Sequence, residues 1–418
     1  MLKVLRQRNF ALLWIGQVIS LIGDWVLTIA LPFYIYALTG SALATGAMFI
    51  TVTLPRLLLG SLAGVFVDRW DRRWTMIAAD VSRALLLPVL LIVRSSQWLW
   101  IVYVVAFVES AISQFFIPAK SAIIPRLVGE EHLVAANSLD ALSDALTRLI
   151  GPAIGGALFA FVGIGSVVYI DSASYLFSGL MILLILMPPV QRKEETNVPA
   201  SATSTPWAKV WRDWLDGLRL VKKERLLMGI FMVTGLTMIA TGFINVLLVV
   251  FVKKSLHGDA LVLGWLTTAQ GSGGLIGALT IGQVGKLVRP IYLIILGLGT
   301  AGVFLFFIVN IPVLPLDLVL TALIGLTVVG FFVTVQTLLQ KGVADEYRGR
   351  VFGAFGTTNA LLMLIGMGIA SSLGDTLGVV ILLDIAGGLF LLAVLLAMLT
   401  LQKAAIPTTS PEIQPTLN

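Results

Sequence analysis

The stretch that decides the fold is GSLAGVFVDRWDRR, residues 60–73. It closes one apolar segment, residues 43–67, and a second apolar segment begins near Thr75. A hydrophobic segment that stops on a charge cluster and soon resumes is typical of two membrane helices joined by a tight charged turn. Gly60 and Gly64 are four residues apart and share one helix face, on which another helix can approach closely. The stretch therefore predicts a membrane boundary and a helix contact in one place.

The composition indicates that lipid surrounds most of the chain. Of 418 residues, 58% are hydrophobic and only 12% are charged, whereas soluble domains carry about 25% charged residues. The mean hydropathy is +0.99. The net charge of +6 comes from turns between apolar segments, so we expect no nucleic-acid partner. Since there is no cysteine, and His132 and His257 lie far apart, we expect neither a metal site nor a cofactor.

Twelve apolar segments are long enough to cross a bilayer, which takes about 20 residues each. We therefore expect an all-α integral membrane protein with twelve transmembrane helices. The first segment is too long for a signal-peptide core of about 7–15 residues, so we expect it to be an uncleaved helix. The predicted spans are 10–38, 43–67, 75–93, 98–117, 133–162, 166–188, 226–252, 260–285, 290–309, 313–340, 346–374 and 377–401.

The basic residues predict the orientation. Of the 28 lysines and arginines, nearly all fall in turns on the side of the N-terminus. Arg94, Lys253 and Lys254 fall on the other side, and a further three lie within spans, namely Arg56, Arg83 and Arg148. Because cytoplasmic loops are enriched in lysine and arginine, we expect both termini in the cytoplasm of a prokaryotic cell, with the chain crossing its plasma or inner membrane many times.

The spans divide into two groups of six. We expect an N-terminal bundle over residues 1–188, a cytoplasmic linker over 189–225, a C-terminal bundle over 226–402 and a cytoplasmic tail over 403–418. In the linker, Trp207, Trp211 and Trp214 recur at helical spacing, which predicts an amphipathic helix lying at the membrane interface. Several glycines, apolar residues and charges repeat at an offset of 215, as Gly151 and Gly366 do, which favours duplication of one six-helix unit.

Two motifs carry a family resemblance that covers the whole chain. The segment Gly64 to Arg73 resembles the loop motif of the major facilitator superfamily, with Asp71 where the family usually has a second glycine. Gly151-Pro152-x-x-Gly155-Gly156 resembles the family's antiporter motif, with Thr147 in place of an earlier glycine. The chain looks closest to the branch that exports macrolides and siderophores, through segments such as SLIGD at residues 20–24 and MIAAD at residues 76–80.

The resemblance implies two pseudo-symmetric six-helix bundles that rock around a midplane substrate site. It also implies that Asp68 meets the N-terminal end of helix 11 and stabilises the outward-facing state. The glycine–proline motif implies exchange rather than uniport. The gating residues that it assigns are Gly60, Gly64, Asp68, Arg69, Arg72 and Arg73.

Charged residues within spans are candidate coupling sites, since each costs about 2.5–3.5 kcal/mol at a helix centre. Asp24 and Glu109 have no opposite charge within a turn of their own helices, so we expect them to bind the proton or another coupling cation. Arg56 or Arg148 is the expected counter-ion. The alternative is that such charges form structural pairs, which we favour for Asp80, Arg83, Asp140, Asp144, Asp171 and Asp384.

The substrate site is less well defined by the sequence. No phosphate-binding loop of the Gly-x-x-x-x-Gly-Lys-Ser/Thr type is present, so an ion gradient must supply the energy. Polar or aromatic residues within spans are candidates for the cavity: Trp25, Phe33, Tyr34, Asn245, Gln270, Gln336 and Asn359.

The function that we favour is a monomeric, proton-coupled exporter of amphipathic or hydrophobic small molecules. The alternative within transporters is an exporter or flippase of a defined natural molecule, such as a siderophore or a lysophospholipid. A membrane enzyme or receptor that has kept a transporter fold is a third possibility. The sequence speaks against an enzyme, since no histidine, cysteine or nucleophile constellation stands out within the spans.

Overall fold

The computed structural model describes residues 2–186 and 206–401, and in these ranges twelve long helices account for most of the chain. Eleven of the twelve are long and apolar enough to cross a membrane. The exception, α8, is 28 residues long but interrupts its apolar residues with glycine, threonine and glutamine. The helices are α1 Arg8–Thr39, α2 Ala42–Val67, α3 Arg72–Leu86, α4 Leu99–Val128, α5 Leu133–Val162, α6 Ile164–Leu183, α7 Arg225–Lys254, α8 Ala260–Leu287, α9 Pro290–Asn310, α10 Leu314–Gly342, α11 Arg348–Leu377 and α12 Val379–Leu401.

Local sequence explains where several helices begin and turn. Ser41, Asp71 and Asp259 cap α2, α3 and α8, because each side chain accepts a hydrogen bond from a backbone N–H of the first turn. Gly163 and Gly378 join consecutive helices with φ of 84° and 86°, a conformation in which only glycine avoids strain.

Three helices differ from their predicted bounds. Helix α6 ends at Leu183, although the prediction extended it to residue 188. The α-helical part of α3 ends at Leu86 and continues as a 3₁₀ helix, Leu87–Ile92, because Pro88 has no N–H to donate. Helix α4 runs to Val128, although the prediction ended it at residue 117. It passes through Pro118, and the charge of Lys120 is neutralised by Asp140 of α5 at 2.6 Å.

The two halves repeat each other in three dimensions. Adding 215 to the bounds of α5 gives residues 348–377, which are the bounds of α11. The same offset takes Gly163 to Gly378, the two glycines of the tight turns. Helix pairs correspond as well: α1 packs on α5 and α6, as α7 packs on α11 and α12. The offset seen in the sequence therefore relates equivalent positions of two six-helix units.

The halves contact each other through α2 with α11 and through α5 with α8. We call the end of the bundle that carries the N-terminus and the arginine- and lysine-rich turns the basic end, and the opposite end the far end. The contacts lie toward the far end. A Cβ placed on Gly46 of α2 would lie 1.7 Å from Ser371 Oγ of α11, and one on Gly156 of α5 would lie 2.3 Å from Ala260 O of α8.

Toward the basic end the same helices separate. No atom among the described residues lies within 4 Å of a Cβ placed on Gly64 of α2, or on Gly349, Gly353 or Gly356 of α11. The structure is therefore closed between the halves at the far end and open at the basic end.

The second part of the predicted linker forms a helix, Pro206–Lys223, which we call the linker helix. It packs on α11 and α7. Trp214 Nε1 donates a hydrogen bond to Thr358 Oγ1 at 3.3 Å, and a Cβ on Gly217 would lie 2.5 Å from Arg350 O. The linker helix thus belongs structurally to the C-terminal half. The rest of the predicted linker and the predicted tail lie outside the described residues.

Candidate functional site

Two half-buried carboxyl groups and a buried tyrosine meet in the middle of the N-terminal half. Asp24 lies halfway along α1, and Glu109 lies in α4. The hydroxyl of Tyr175, on α6, is 2.5 Å from Asp24 Oδ1 and 3.1 Å from Glu109 Oε1. The tyrosine side chain itself is only 1% exposed. The two carboxyl groups predicted as coupling sites are therefore neighbours joined by one phenol.

Arg83 of α3 supplies the positive charge of this cluster. Its Nη2 pairs with Asp80 at 2.5 Å, and its Nη1 donates to Ser113 Oγ at 3.3 Å. Ser113 Oγ in turn donates to Glu109 Oε1 at 3.2 Å. The guanidinium also lies over the ring of Tyr175, 4.1 Å from its centroid. The predicted pair of Asp80 with Arg83 forms, and its arginine is part of the same network as Glu109.

Asp171 is a further carboxyl group of this cluster. It is fully buried on α6, one turn before Tyr175, and its Oδ2 has no hydrogen-bond partner among the described residues. A Cβ on Gly23 would lie 2.4 Å from Asp171 Oδ1, so the glycine lets α1 approach this carboxyl group closely. The cluster thus contains four carboxyl groups and one guanidinium, of which only Asp80 pairs directly with Arg83.

Two cavities meet at this cluster. The first, of about 230 Å³, is mostly apolar and reaches toward the far end between Leu31, Leu87 and Leu90. The second, of about 330 Å³, is polar and reaches toward the basic end, where Lys120 and Asp140 line it. Asp24 and Ser113 line both cavities. Since every lining residue comes from α1–α6 and the 3₁₀ helix after α3, the site lies within the N-terminal half.

Among residues 206–401, the C-terminal half has no equivalent cluster at the corresponding positions. The offset of 215 places Ile239 opposite Asp24, Leu298 opposite Arg83 and Ile324 opposite Glu109. Phe390 takes the place of Tyr175, with the same ring but no hydroxyl. The C-terminal positions equivalent to Asp24, Arg83, Glu109 and Tyr175 thus carry no ionisable group, and Asp317, a buried carboxyl group of that half, lies at the start of α10.

The structure does not bring every predicted charge to this site. Arg56 of α2 and Arg148 of α5 are exposed and line neither cavity, so Arg83 is the arginine that faces Asp24 and Glu109. Asp140 pairs with Lys120 of α4 rather than along its own helix. Asp384 accepts a hydrogen bond from Asn310 at 2.8 Å, away from the cluster.

The predicted gating residues lie at the open, basic end. Asp68, which ends α2, and Arg69 are exposed. Arg72 Nη2 donates to the backbone oxygen of Asp68 at 3.3 Å. Arg73 donates to the backbone oxygens of Ile182 and Leu183 at the end of α6. Asp71, which replaces the family's glycine, begins α3 as its N-cap.

The glycine–proline motif lies where α5 contacts two helices. A Cβ on Gly151 would lie 2.5 Å from Trp25 Cβ, and one on Gly155 would lie 2.7 Å from Val26 Cα, both on α1. Gly156 faces Ala260 of α8, and Pro152 O faces Gly264 of α8. The motif therefore joins α5 to its own half and to the other half at once.

The seven residues predicted for the substrate cavity line neither of the two cavities at Asp24. Trp25 packs against Gly151, and Phe33 lies in the core formed with helices of the C-terminal half. The Tyr34 hydroxyl donates to Val93 O, and Asn245 Nδ2 lies 3.9 Å from Met363 Sδ. Asn359 is half-buried, whereas Gln270 and Gln336 are exposed.

Sequence reasoning missed Tyr175 and assigned Asp171 and Arg83 to structural roles. One signal was available: Asp171 and Tyr175 are four residues apart and share one face of an otherwise apolar helix. That face had to be buried in protein, because an ionisable group facing lipid is costly. Which residues it would meet depended on how α1, α3, α4 and α6 pack.

The chain matches a protein family, individual proteins and a solved structure, each over most of its length. Residues 1–414 match the family model described as a transmembrane secretion effector. The chain is 28% identical over 376 residues to macrolide efflux protein A of Streptococcus pyogenes, covering 89% of this chain and 90% of that protein. It is 26% identical over 415 residues to the enterobactin exporter of Escherichia coli O1:K1 / APEC, covering 97% and 94%. The crystal structure of the nucleoside transporter NupG shares the fold, with a TM-score of 0.74 at 14% identity over 94% of this chain and 99% of that one.

Proposed function

This chain belongs to the transmembrane secretion effector family of the major facilitator superfamily, and we propose that it exports amphipathic or hydrophobic small molecules in exchange for protons. Its relatives include macrolide and siderophore exporters. In this proposal the basic end lies in the cytoplasm of a bacterial cell, and the structure represents the inward-facing state. The two halves rock to expose the site to either side of the membrane.

The observation that carries the proposal is the shared hydroxyl of Tyr175. A phenol has one proton to donate, yet its oxygen lies within hydrogen-bond distance of both Asp24 and Glu109. That proton can be donated to only one of the two carboxyl groups at a time, and a proton taken up by the other carboxyl group can be donated to the phenol oxygen. The arrangement therefore suits a site that takes up and releases a proton.

Charge balance supports the same assignment. Asp24, Asp80, Glu109 and Asp171 lie around Arg83, so ionising all four would leave a large negative charge in a low-dielectric site. A proton or a cationic group of the substrate reduces that charge. Because a proton and a cationic group of the substrate neutralise the same negative charge, binding of one favours release of the other, as antiport requires.

The two cavities give the two occupants different routes. The polar cavity leads from the basic end to Asp24 through side chains such as Gln17, Ser121 and Asp144, and it suits the passage of protons. The apolar cavity offers leucine, valine and phenylalanine walls beside the same carboxyl groups. An amphipathic molecule can bury its apolar part there and place a polar group at Asp24 or Glu109.

A second candidate substrate class is a defined natural molecule, such as a siderophore or a lysophospholipid. The similarity to an enterobactin exporter favours it. Both candidates assume the same fold, the same coupling site and the same direction of transport. They differ only in which compound is exchanged for protons.

The test uses everted membrane vesicles that hold a preset pH gradient. A transported compound added to them collapses the gradient, so a panel of macrolides, lipophilic drugs, siderophores and lysophospholipids identifies the substrate class. We expect Asp24→Asn and Glu109→Gln each to lower substrate-dependent proton movement by at least about tenfold, since each removes a proton-binding group.

The matched control is Asp384→Asn, the same chemical change in a span of the other half, which we expect to leave proton movement unchanged. Unchanged efflux in both Asp24→Asn and Glu109→Gln, with its dependence on the gradient intact, would contradict the coupling assignment. If no compound of the panel moves under any gradient, the export function itself is wrong.

A further inference from the structure

Asp375, in the last turn of α11, contacts the N-terminal end of α2 in the other half of the molecule. Its Oδ2 accepts a hydrogen bond from Ser41 Oγ at 2.7 Å and one from the N–H of Leu43 at 3.4 Å. Its Oδ1 accepts one from the N–H of Ala42 at 2.9 Å. Three hydrogen bonds from one helix end thus converge on a single carboxylate.

The first N–H groups of a helix have no partner within it, and together they carry about half a positive charge. Ser41 Oγ satisfies the N–H groups of Leu43 and Ala44. Among the described residues, the N–H of Ala42 has only Asp375 as its acceptor. A carboxylate at this position therefore completes the cap of α2 and complements its charge.

The contact depends on close approach of the two helices. A Cβ on Gly374, the residue before Asp375, would lie 2.6 Å from Ala42 Cβ. A Cβ on Gly46 would overlap Ser371. Since α2 and α11 belong to different halves, any opening of the far end separates them and removes all three hydrogen bonds.

Among the described residues, the equivalent interface between α5 and α8 has no such contact. The offset of 215 places Ala160 of α5 opposite Asp375, and alanine has no acceptor in its side chain. Helix α8 is capped by its own Asp259, which accepts from the N–H of Leu261 at 2.9 Å. The carboxylate that crosses between halves is thus a feature of the α2–α11 interface.

We infer that Asp375 is a positioning residue of the transport cycle, which stabilises the state closed at the far end by capping α2 across the interface. This inference rests on the alternating access of the proposed function. Helices α2 and α11 run antiparallel, so the C-terminal end of each lies beside the N-terminal end of the other. Asp375 acts at one end of this pair, and Asp68 is the carboxylate at the opposite end of it. The two contacts exclude each other, because the pair cannot be closed at both ends while the substrate site opens to one side.

The experiment measures distances between spin labels in the full chain reconstituted in lipid nanodiscs. The absence of cysteine allows labels to be placed freely. Exposed positions suit the two ends: Tyr169 with Ile311 at the far end, and Val134 with Leu287 at the basic end. We expect Asp375→Asn to shift the ratio of the two states about three- to tenfold toward the far-end-open state, with the far-end pair lengthening and the basic-end pair shortening.

Asp384→Asn is the control, because Asp384 bonds within its own half at 2.8 Å and should leave both distance distributions unchanged. Ser41→Ala removes one of the three hydrogen bonds and should give a smaller shift in the same direction, and it decides the question if Asp375→Asn yields no folded protein. Unchanged distributions in the folded variants overturn the inference. The readout needs no substrate, so a shift without any transport would leave this inference standing and count against the proposed function alone.

Discussion

A single hydroxyl proton faces two carboxyl groups at the centre of the N-terminal half. At the scale of one residue, a substitution at Tyr175 therefore tests the proposed proton coupling most directly. Its ring packs under Arg83 and its oxygen joins Asp24 to Glu109. The repeat shows that a phenylalanine fits the equivalent place in the other half, at Phe390.

Tyr175→Phe should keep the packing and lose the shared hydrogen bonds. We expect substrate-driven proton movement to fall about tenfold, since a hydrogen bond to a charged group contributes about 1.5–3 kcal/mol. The measurement is the initial rate of gradient collapse in everted vesicles. Tyr103→Phe, which removes a hydroxyl that bonds only to Ala44 O, is the control. Equal rates in the two variants would show that the hydroxyl of Tyr175 has no part in coupling.

At the scale of helices, α2 and α11 form the contact that must open and close. In the present state their far ends touch, and their basic ends leave Gly64 and Gly353 without neighbours within 4 Å. Small residues on both helices allow close packing when the basic end closes. The family resemblance implies that Asp68 then reaches the N-terminal end of α11.

Asp68→Asn should slow transport without weakening substrate binding. The residue is exposed and lines neither cavity, and the family resemblance implies that its carboxylate stabilises only the state closed at the basic end. We expect a two- to fivefold lower turnover, since a carboxylate at a helix N-terminus contributes about 0.3–1 kcal/mol. Proteoliposome rates over a range of substrate concentrations separate turnover from affinity.

Asp71→Asn is the control in the same loop, because asparagine caps a helix about as well as aspartate. A loss of affinity in Asp68→Asn that matches its loss of rate would count against a role in gating. The same concentration series gives both values for both variants.

At the scale of the whole molecule, the two halves share their helix arrangement, but the cluster around Arg83 belongs to one half. Helix bounds, tight turns and packing partners follow the offset of 215, while the ionisable cluster occupies the N-terminal half. The C-terminal half instead receives the linker helix, which packs on α11. This division suits a transporter in which one half binds the coupling proton and the other half completes the gates.

Orientation in the membrane is the prediction that belongs to this scale. With cysteine introduced singly into a chain that has none, Phe161→Cys reports on the far end and Leu287→Cys on the basic end. Both positions are highly exposed, at 79% and 87%. We expect an impermeant maleimide to label only Phe161→Cys in intact cells, because the basic end should face the cytoplasm. Labelling of Leu287→Cys before permeabilisation would invert the topology and the direction of transport.

The sequence by itself determined the number of helices, their approximate bounds and the duplication, because burial in lipid imposes long apolar segments that can be read locally. It also singled out Asp24 and Glu109 as candidate coupling residues, since a carboxyl group within such a segment is costly wherever it faces. The observed bounds of α3 and α4 differ from the predicted ones at a proline. Whether a helix continues through a proline depends on which neighbouring helices support the backbone groups that the proline leaves without partners.

Only the tertiary structure decided which groups meet. The sequence offered Arg56 or Arg148 as counter-ion, and packing brought Arg83 to the carboxyl groups instead. The contacts of Tyr175 and Asp375 also depend on packing. Tyr175 joins α1 to α4. Asp375 bonds to Ser41 and Ala42, which precede it by 334 and 333 positions in the chain. Contacts between distant segments depend on how whole helices pack, and no local pattern in the chain records that.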